Sequence, residues 1–373
     1  MRFSRKGASI DYAKAEEQIL RAIDLGVNYF DTAYVYPGSE EVLGRVLDQN
    51  HCRDHVWIAT KLPQYLSRSA ESFDKTFGEQ LGRLRTDYID YYLMHMFTDY
   101  VEWERLQALG IEEWIAARKA ESRIRNIGFS FHGNTEAFLP ILKAYDWDFC
   151  QIQYNYMDEH TQAGREGLQA AAEAGIPVVV MEPLHGGKLV DLPTEARKLL
   201  EEHGKDWTPA ELGLRWLWDH PEVTCVLSGM NSIQMVEENV AVASDALAGQ
   251  FSGEDFELVE RIKAIIRSRE KVGCTGCRYC MPCAAGVDIP GNFHYYNLMY
   301  LDSKTGGRFE FARNVGLRKD PGFASRCVGC GLCEKHCPQH LPIRQLLKEA
   351  DRALRPLPCR AGMAVARKVM RRP

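Results

Sequence analysis

Val27-Asn28-Tyr29-Phe30-Asp31-Thr32-Ala33-Tyr34-Val35-Tyr36 is a short run of aromatic and β-branched residues that breaks into a polar loop, after which Gly38-Ser39 opens an amphipathic segment, Ser39 to Leu47. An extended run followed at once by helical periodicity reads as one βα unit. The same alternation continues to about residue 268, which predicts a parallel sheet covered by helices. With Val27 to Asp31 as the first strand, others follow at Val56 to Lys61, Tyr88 to Met94, Ile124 to Ser130, Phe149 to Tyr154, Pro177 to Met181 and Val223 to Leu227, seven in all. Helices are predicted between them at Phe73 to Leu84, Thr135 to Ala144, Gly164 to Ala174 and Pro209 to Trp218, with two more beginning at Ser232 and Glu254. Thr208-Pro209 sets a capping hydroxyl ahead of a proline at the first helical position.

A closed barrel of βα units needs eight strands, whereas this chain opens with a helix, Ala13 to Leu25, and no strand ahead of it. The expectation is therefore an α/β fold of the TIM-type (β/α)8 barrel class whose first strand is missing from this chain. An upstream segment would supply that strand, or the C-terminal domain or a partner would cover the gap. After Ser268 the composition turns to Cys, Gly and Pro. That shift divides the chain into a barrel over residues 1–268 and a small, mostly helical domain over 269–373, ending in an arginine-rich tail from Arg352.

The chain has 373 residues and a net charge of -5, without the basic excess that a nucleic-acid partner selects. No stretch approaches the ~20 apolar residues that span a bilayer, and Met1-Arg2-Phe3-Ser4-Arg5-Lys6 lacks the apolar centre of a signal peptide. A cytoplasmic protein with neither a nucleic-acid nor a membrane partner is expected. Eight of the twelve cysteines fall in two tight runs near the C-terminus, a pattern that in a large chain indicates metal rather than disulfides.

In a parallel barrel the C-terminal ends of the strands share one face, so polar residues there are catalytic candidates. Asp31 and Lys61 each close a strand, His95 follows one, and Tyr36 lies in the loop after Asp31. Reduction of a carbonyl leaves negative charge on oxygen and requires a proton donor together with a stabilising charge or dipole. Tyr36 can donate, more readily beside an ammonium such as Lys61. Asp31 would hold that ammonium, and His95 would orient the carbonyl. Taken singly, each also reads as an ordinary loop, cap or strand-end residue.

Tyr29-Phe30-Asp31-Thr32-Ala33-Tyr34-Val35-Tyr36 with Gly38-Ser39-Glu40, Ile58-Ala59-Thr60-Lys61, and Asp90-Tyr91-Tyr92-Leu93-Met94-His95 resemble the motifs of the aldo-keto reductases, in the same order, over roughly residues 1 to 250. The resemblance implies a catalytic tetrad of Asp31, Tyr36, Lys61 and His95, acting with NAD(P)H on a small-molecule carbonyl or alcohol. It also implies a nicotinamide site. Ser130 and Gln151 match positions that hold the carboxamide, and Met181 stands where many members stack an aromatic on the ring. Phe131 replaces a frequent asparagine. Gly229, Glu238 and Asn239 fall in a segment similar to the adenosine-phosphate site, where a loop feeds a helix N-terminus. Met235 takes a position that is often arginine in NADPH-preferring members. Gly186-Gly187-Lys188 lacks P-loop spacing and reads as a loop.

Cys327-x2-Cys330-x2-Cys333-x3-Cys337-Pro338 reproduces the bacterial ferredoxin run, while Cys274-x2-Cys277-x2-Cys280-x2-Cys283 is one residue shorter in its last gap. The ferredoxin resemblance implies two [4Fe-4S] clusters that exchange ligands, with Cys274, Cys277, Cys280 and Cys337 on one and Cys327, Cys330, Cys333 and Cys283 on the other. The competing reading is a pair of zinc sites, which ordinarily use separated CxxC pairs. The intervening aromatics, among them Phe293, Tyr295, Tyr296, Phe309 and Phe311, are expected in a core. The isolated Cys52, Cys150, Cys225 and Cys359 are expected as packing groups.

Three functions remain open on sequence: a nicotinamide-dependent oxidoreductase whose clusters transfer electrons or shape the site; an electron-transfer protein that uses the barrel as a docking scaffold; and a reductase driven by a redox protein partner without nicotinamide.

Overall fold

The structure, a computed structural model, describes residues 3–6, 9–133, 135–160, 162–274, 280–301, 303–317, 321–337 and 339–370. They fall into two compact units, Met1–Asp191 with Asp206–Asp255, and Leu192–Lys205 with Phe256–Pro373.

The first unit opens with a two-residue hairpin, β1 (Arg5–Lys6) and β2 (Ser9–Ile10), and is built on a seven-stranded sheet. Its strands are β3 (Tyr29–Asp31), β4 (Trp57–Leu62), β5 (Ile89–Phe97), β6 (Ile124–Phe131), β7 (Phe149–Gln153), β8 (Val178–Met181) and β9 (Val223–Val226), adjacent in chain order. Every neighbouring pair is parallel. All seven predicted strands are present, with ends shifted by at most a few residues. Among the described residues β3 and β9 do not pair, so the sheet is one strand short of closure. The helices flanking that gap meet directly: Arg21 on Tyr12–Asp24 donates to Glu237 on Ile233–Asp245 at 2.7 and 2.9 Å.

Local chemistry explains where the helices begin. Thr208 accepts from the Glu211 amide, with Pro209 in the first turn, as the sequence predicted. The stretch from Met96 to Leu109, for which no helix is predicted, contains one, Tyr100–Gln107. Asp99 caps it, and Glu102 reaches back to the amides of Thr98 (2.7 Å) and Asp99, a capping box legible as Asp99-x-x-Glu102.

At the N-terminal ends of the strands, Asp90 pins β4 to β5. It is 1% exposed, accepts from the Ile58 amide at 2.9 Å, and pairs with Arg53 and Arg125, each at 2.8 Å.

The second unit packs Val287, Ile289, Phe293, Tyr296, Phe311, Ile343, Leu347 and Leu354 into a core of its own, against which six of the cluster-run cysteines lie. Phe293, Tyr296 and Phe311 are buried as expected, whereas Phe309 is 64% exposed. Cys52 and Cys150 are buried, and Cys225 and Cys359 are half-buried. Two asparagines on the helix Ile289–Leu301 fix the approaches to both cysteine runs. Asn297 accepts from the amides of Lys271 and Val272 and donates to the Val272 carbonyl. Asn292 donates to the Gly322 and Asp288 carbonyls and accepts from the Ala324 amide.

The compact units divide at residue 255, ahead of the change of composition after residue 268. Most of the helix Gly253–Arg269 belongs to the second unit, with its stripe Leu258, Val259, Ile262 and Ile266 buried. The segment Leu192–Lys205 belongs there too, tied by Glu195 to Arg269 at 3.0 Å.

Asp90→Ala is expected to cost about 3 kcal/mol of stability, because it strands buried donors. Arg125→Ala, on the half-exposed side of the same pair, should cost less than about 1 kcal/mol. Urea denaturation of both variants checks this; equal losses would show that burial does not govern the pair.

Candidate functional site

The site is assembled at the C-terminal ends of β3, β4 and β5. Pairing of Asp31 with Ala59 and of Lys61 with Leu93 brings the ends of these three strands together. β5 is irregular between Met94 and Phe97, where Met96 adopts a positive φ of 61°. Such a bulge re-aims side chains, here on either side of His95.

Lys61 is 1% exposed, and its ammonium donates to both carboxylate oxygens of Asp31 (2.6 and 2.7 Å) and to the Thr32 carbonyl (2.8 Å). All three of its protons are thereby held, as a desolvated ammonium requires. Gln151, in the middle of β7, donates to the same carboxylate at 3.0 Å. The Tyr36 ring centre lies 5.7 Å from the Lys61 nitrogen and 6.1 Å from the His95 ring, edge to face at 84°. Tyr36 is 37% exposed, so its face of the cluster opens outward.

His95 is buried, and burial together with the Lys61 charge pushes its pKa down to about 3 against the opposing pull of Asp31. The imidazole is therefore neutral near pH 7, and its buried Nδ1 has no hydrogen-bond partner among the described residues. The four tetrad candidates thus lie together: an anchored cation, a neutral ring and an accessible phenol.

The positions matched to nicotinamide are spread along the same edge. Ser130 is buried at the end of β6 and accepts from the Met96 amide at 2.8 Å. Met181 ends β8. Gly229 lies in the loop after β9, and Ser232 caps the next helix by accepting from the Met235 amide. Asn239 donates to Ser228 at 2.9 Å, and Glu238 accepts from Gln234 at 2.7 Å. Phe131 is fully buried in the core.

Sequence reasoning passed over a second polar group at these strand ends. Asp158 accepts from Gln153 (2.9 Å) and Asn155 (3.1 Å) and lies 3.3 Å from His185. Gln162 donates to Gln153 at 2.7 Å. Burial pushes His132, just past β6, down to about 4. His132 and Asn155 both follow a strand end, the position that picked out His95. A third feature is the short 3-10 turn Gln64–Leu66, held by Arg105 through the Gln64 and Ser67 carbonyls and the Gln64 side chain at 2.7 to 2.9 Å. It carries the exposed Tyr65 and Leu66.

In the second unit a cavity of about 310 Å³ is lined by Cys280, Cys283, Cys327, Cys330 and Cys333, with His336 and Arg344. Cys283, Cys327, Cys330 and Cys333 are one of the two ligand sets implied by the ferredoxin resemblance. Thiols at the wall of a cavity of this size suit a cluster with a ligand at each corner. Cys274 and Cys337 pack against the adjoining core, and Cys277 lies outside the described residues.

Comparison with known proteins agrees with this geometry. Residues 1–264 match the family model for the aldo/keto reductase family, and residues 273–341 match that for a 4Fe-4S dicluster domain. An uncharacterized oxidoreductase of Bacillus subtilis, YqkF, is 29% identical over 265 residues, which are 62% of this chain and 82% of that protein. The holo form of aldo-keto reductase AKR11C1 from Bacillus halodurans is 26% identical, with a TM-score of 0.57 over 70% of this chain and 91% of that one. An aldo/keto reductase from Klebsiella pneumoniae, solved in complex with NADP and acetate, is also 26% identical, with a TM-score of 0.55 over 68% of this chain and 86% of its own. With its parallel strands, the cluster at their ends and more than two thirds of its length matched, this chain belongs to the aldo/keto reductase family of oxidoreductases and carries a 4Fe-4S dicluster domain.

Proposed function

We propose that the first unit reduces the carbonyl group of a small molecule, or oxidises the corresponding alcohol, with NAD(P)H or NAD(P)+ as the redox partner. The observation that carries this reading is the desolvated Lys61–Asp31 pair beside Tyr36, with the neutral His95 ring opposite. Bound nicotinamide supplies the hydride, and this chain's residues do the rest. Tyr36 gives its hydroxyl proton to the carbonyl oxygen, and Lys61 stabilises the phenolate left behind. Asp31 keeps the ammonium in place. A neutral His95 can donate a hydrogen bond to the carbonyl oxygen without adding a charge that would compete with Lys61.

Ser130 and Gln151 would hold the carboxamide, Met181 would lie against the ring, and Gly229, Glu238 and Asn239 would line the adenosine-phosphate end. Support comes from the buried placement of Ser130 near the end of β6 and of Gln151 within β7, and from the NADP bound in the Klebsiella relative. Exposed Tyr65 and Leu66 on the turn after β4, with Met96 near the end of β5, favour a substrate with an apolar body.

In the second unit, we assign Cys274, Cys277, Cys280 and Cys337 to one [4Fe-4S] cluster and Cys283, Cys327, Cys330 and Cys333 to another, for one-electron transfer.

Tyr36→Phe should leave the circular dichroism unchanged and lower kcat by ~10²–10⁴-fold in an NAD(P)H-linked carbonyl assay. Full turnover in the folded variant would remove the proton-donor assignment.

Because the native pKa of His95 lies near 3 and that of His132 near 4, the unfolded chain takes up protons below about 6.5 that the native state refuses. Their contribution to stability is present above pH 6.5 and falls as the pH is lowered towards 3. Denaturant midpoints measured across that range check the sign, and kcat should show no limb from His95 between about pH 5 and 8.

Anaerobically prepared protein should hold about eight iron and eight acid-labile sulfide per chain. Stoichiometric zinc without iron would refute the cluster assignment, and about four iron would restrict it to one site.

A further inference from the structure

The cavity lined by the cysteines opens on an apolar surface. Cys330 is exposed, and the residues around it on the same cavity wall are apolar and open to solvent. Val328 is 73% and Leu332 52% exposed, and Pro282 and Ala284 are exposed as well. Apolar side chains in such positions gain nothing from folding, and contiguous exposed apolar groups mark a contact surface.

The charges at this mouth are basic. Arg344 lines the cavity, and Lys335, three residues after Leu332, is exposed. Glu334 accepts from the Arg344 guanidinium at 2.8 and 2.9 Å and from its backbone amide at 2.8 Å, which leaves Lys335 uncompensated by it. The same bias extends over the unit. Leu192–Lys205 with Phe256–Pro373 holds 25 Lys and Arg against 13 Asp and Glu, whereas the remainder of the chain holds 21 against 38. The acidic total for the whole chain therefore conceals a strongly basic cluster unit.

We propose that this mouth, with Val328, Leu332, Pro282 and Ala284 around Cys330 and Lys335 at its rim, is the electron port of the protein, and that its partner is a small acidic protein carrying a one-electron centre. The inference rests on the reading of the cysteines as cluster ligands. An exposed ligand sulfur puts the cluster edge within contact range of a docked protein, the apolar ring excludes water from the junction, and the basic field steers an acidic partner to it. The transfer is a single electron: a reduced [2Fe-2S] centre on the partner is oxidised by one electron and the [4Fe-4S]2+ cluster is reduced to [4Fe-4S]+. No bond or proton moves.

The test uses the full-length holoprotein and a reduced acidic [2Fe-2S] ferredoxin of plant type, with cluster bleaching followed by stopped flow. The second-order rate constant should fall steeply as ionic strength rises and drop ~10-fold in Lys335→Glu. Reduction by the small methyl viologen radical should stay unchanged in that variant, at unchanged iron content. A rate indifferent to salt and to Lys335→Glu in iron-replete protein, or faster exchange with a basic carrier such as a cytochrome c, would overturn the port. If Lys335→Glu loses iron, the salt series on the unaltered protein decides in the same way. Unaltered protein lacking iron would overturn the cluster reading itself and the port with it.

Discussion

A lysine ammonium taken out of water constrains the rest of the first unit. An unpaired buried charge is tolerated only at a cost of several kcal/mol. The fold therefore has to bring a carboxylate and a carbonyl to the Lys61 nitrogen at the same time. It does so by ending β3 at Asp31, so that the Thr32 carbonyl is turned inward, and by setting β4 beside β3 in parallel register. Gln151 comes from the far side of the sheet to complete the carboxylate's bonding. The positive charge thus concentrated at the strand ends is also what helps keep His95 unprotonated.

Much of this was legible in the sequence, for a simple reason. Period-two apolar runs that alternate with helical stretches leave one topology, and that topology sends every strand end to one face. Asp31, Lys61 and His95 could be picked out by position alone. What escaped was set by contacts that no local pattern encodes. The group around Asp158 joins β7, the loop that follows it and His185 beyond β8, so it exists only once the sheet has formed. The helix Tyr100–Gln107 was missed although its capping box is written in the sequence, because its short apolar pattern resembles a loop.

The cysteine runs present the reverse case. Their spacing announces iron chemistry, yet says nothing of how the chain is held beside them. The structure supplies that through a core of Phe293, Phe311, Ile343 and Leu347 and through the hydrogen bonds of Asn292 and Asn297.

Those two asparagines lie on one helix, and their side chains bond main chain just ahead of each cysteine run, with one further bond from Asn292 to Asp288. None needs a metal. In small zinc modules the ion is the core, and the chain falls apart when it leaves. Here the polypeptide around the cysteines is a mould whose shape is kept by amide groups. The order of the chain ahead of each run is thereby set by the polypeptide's own amide groups.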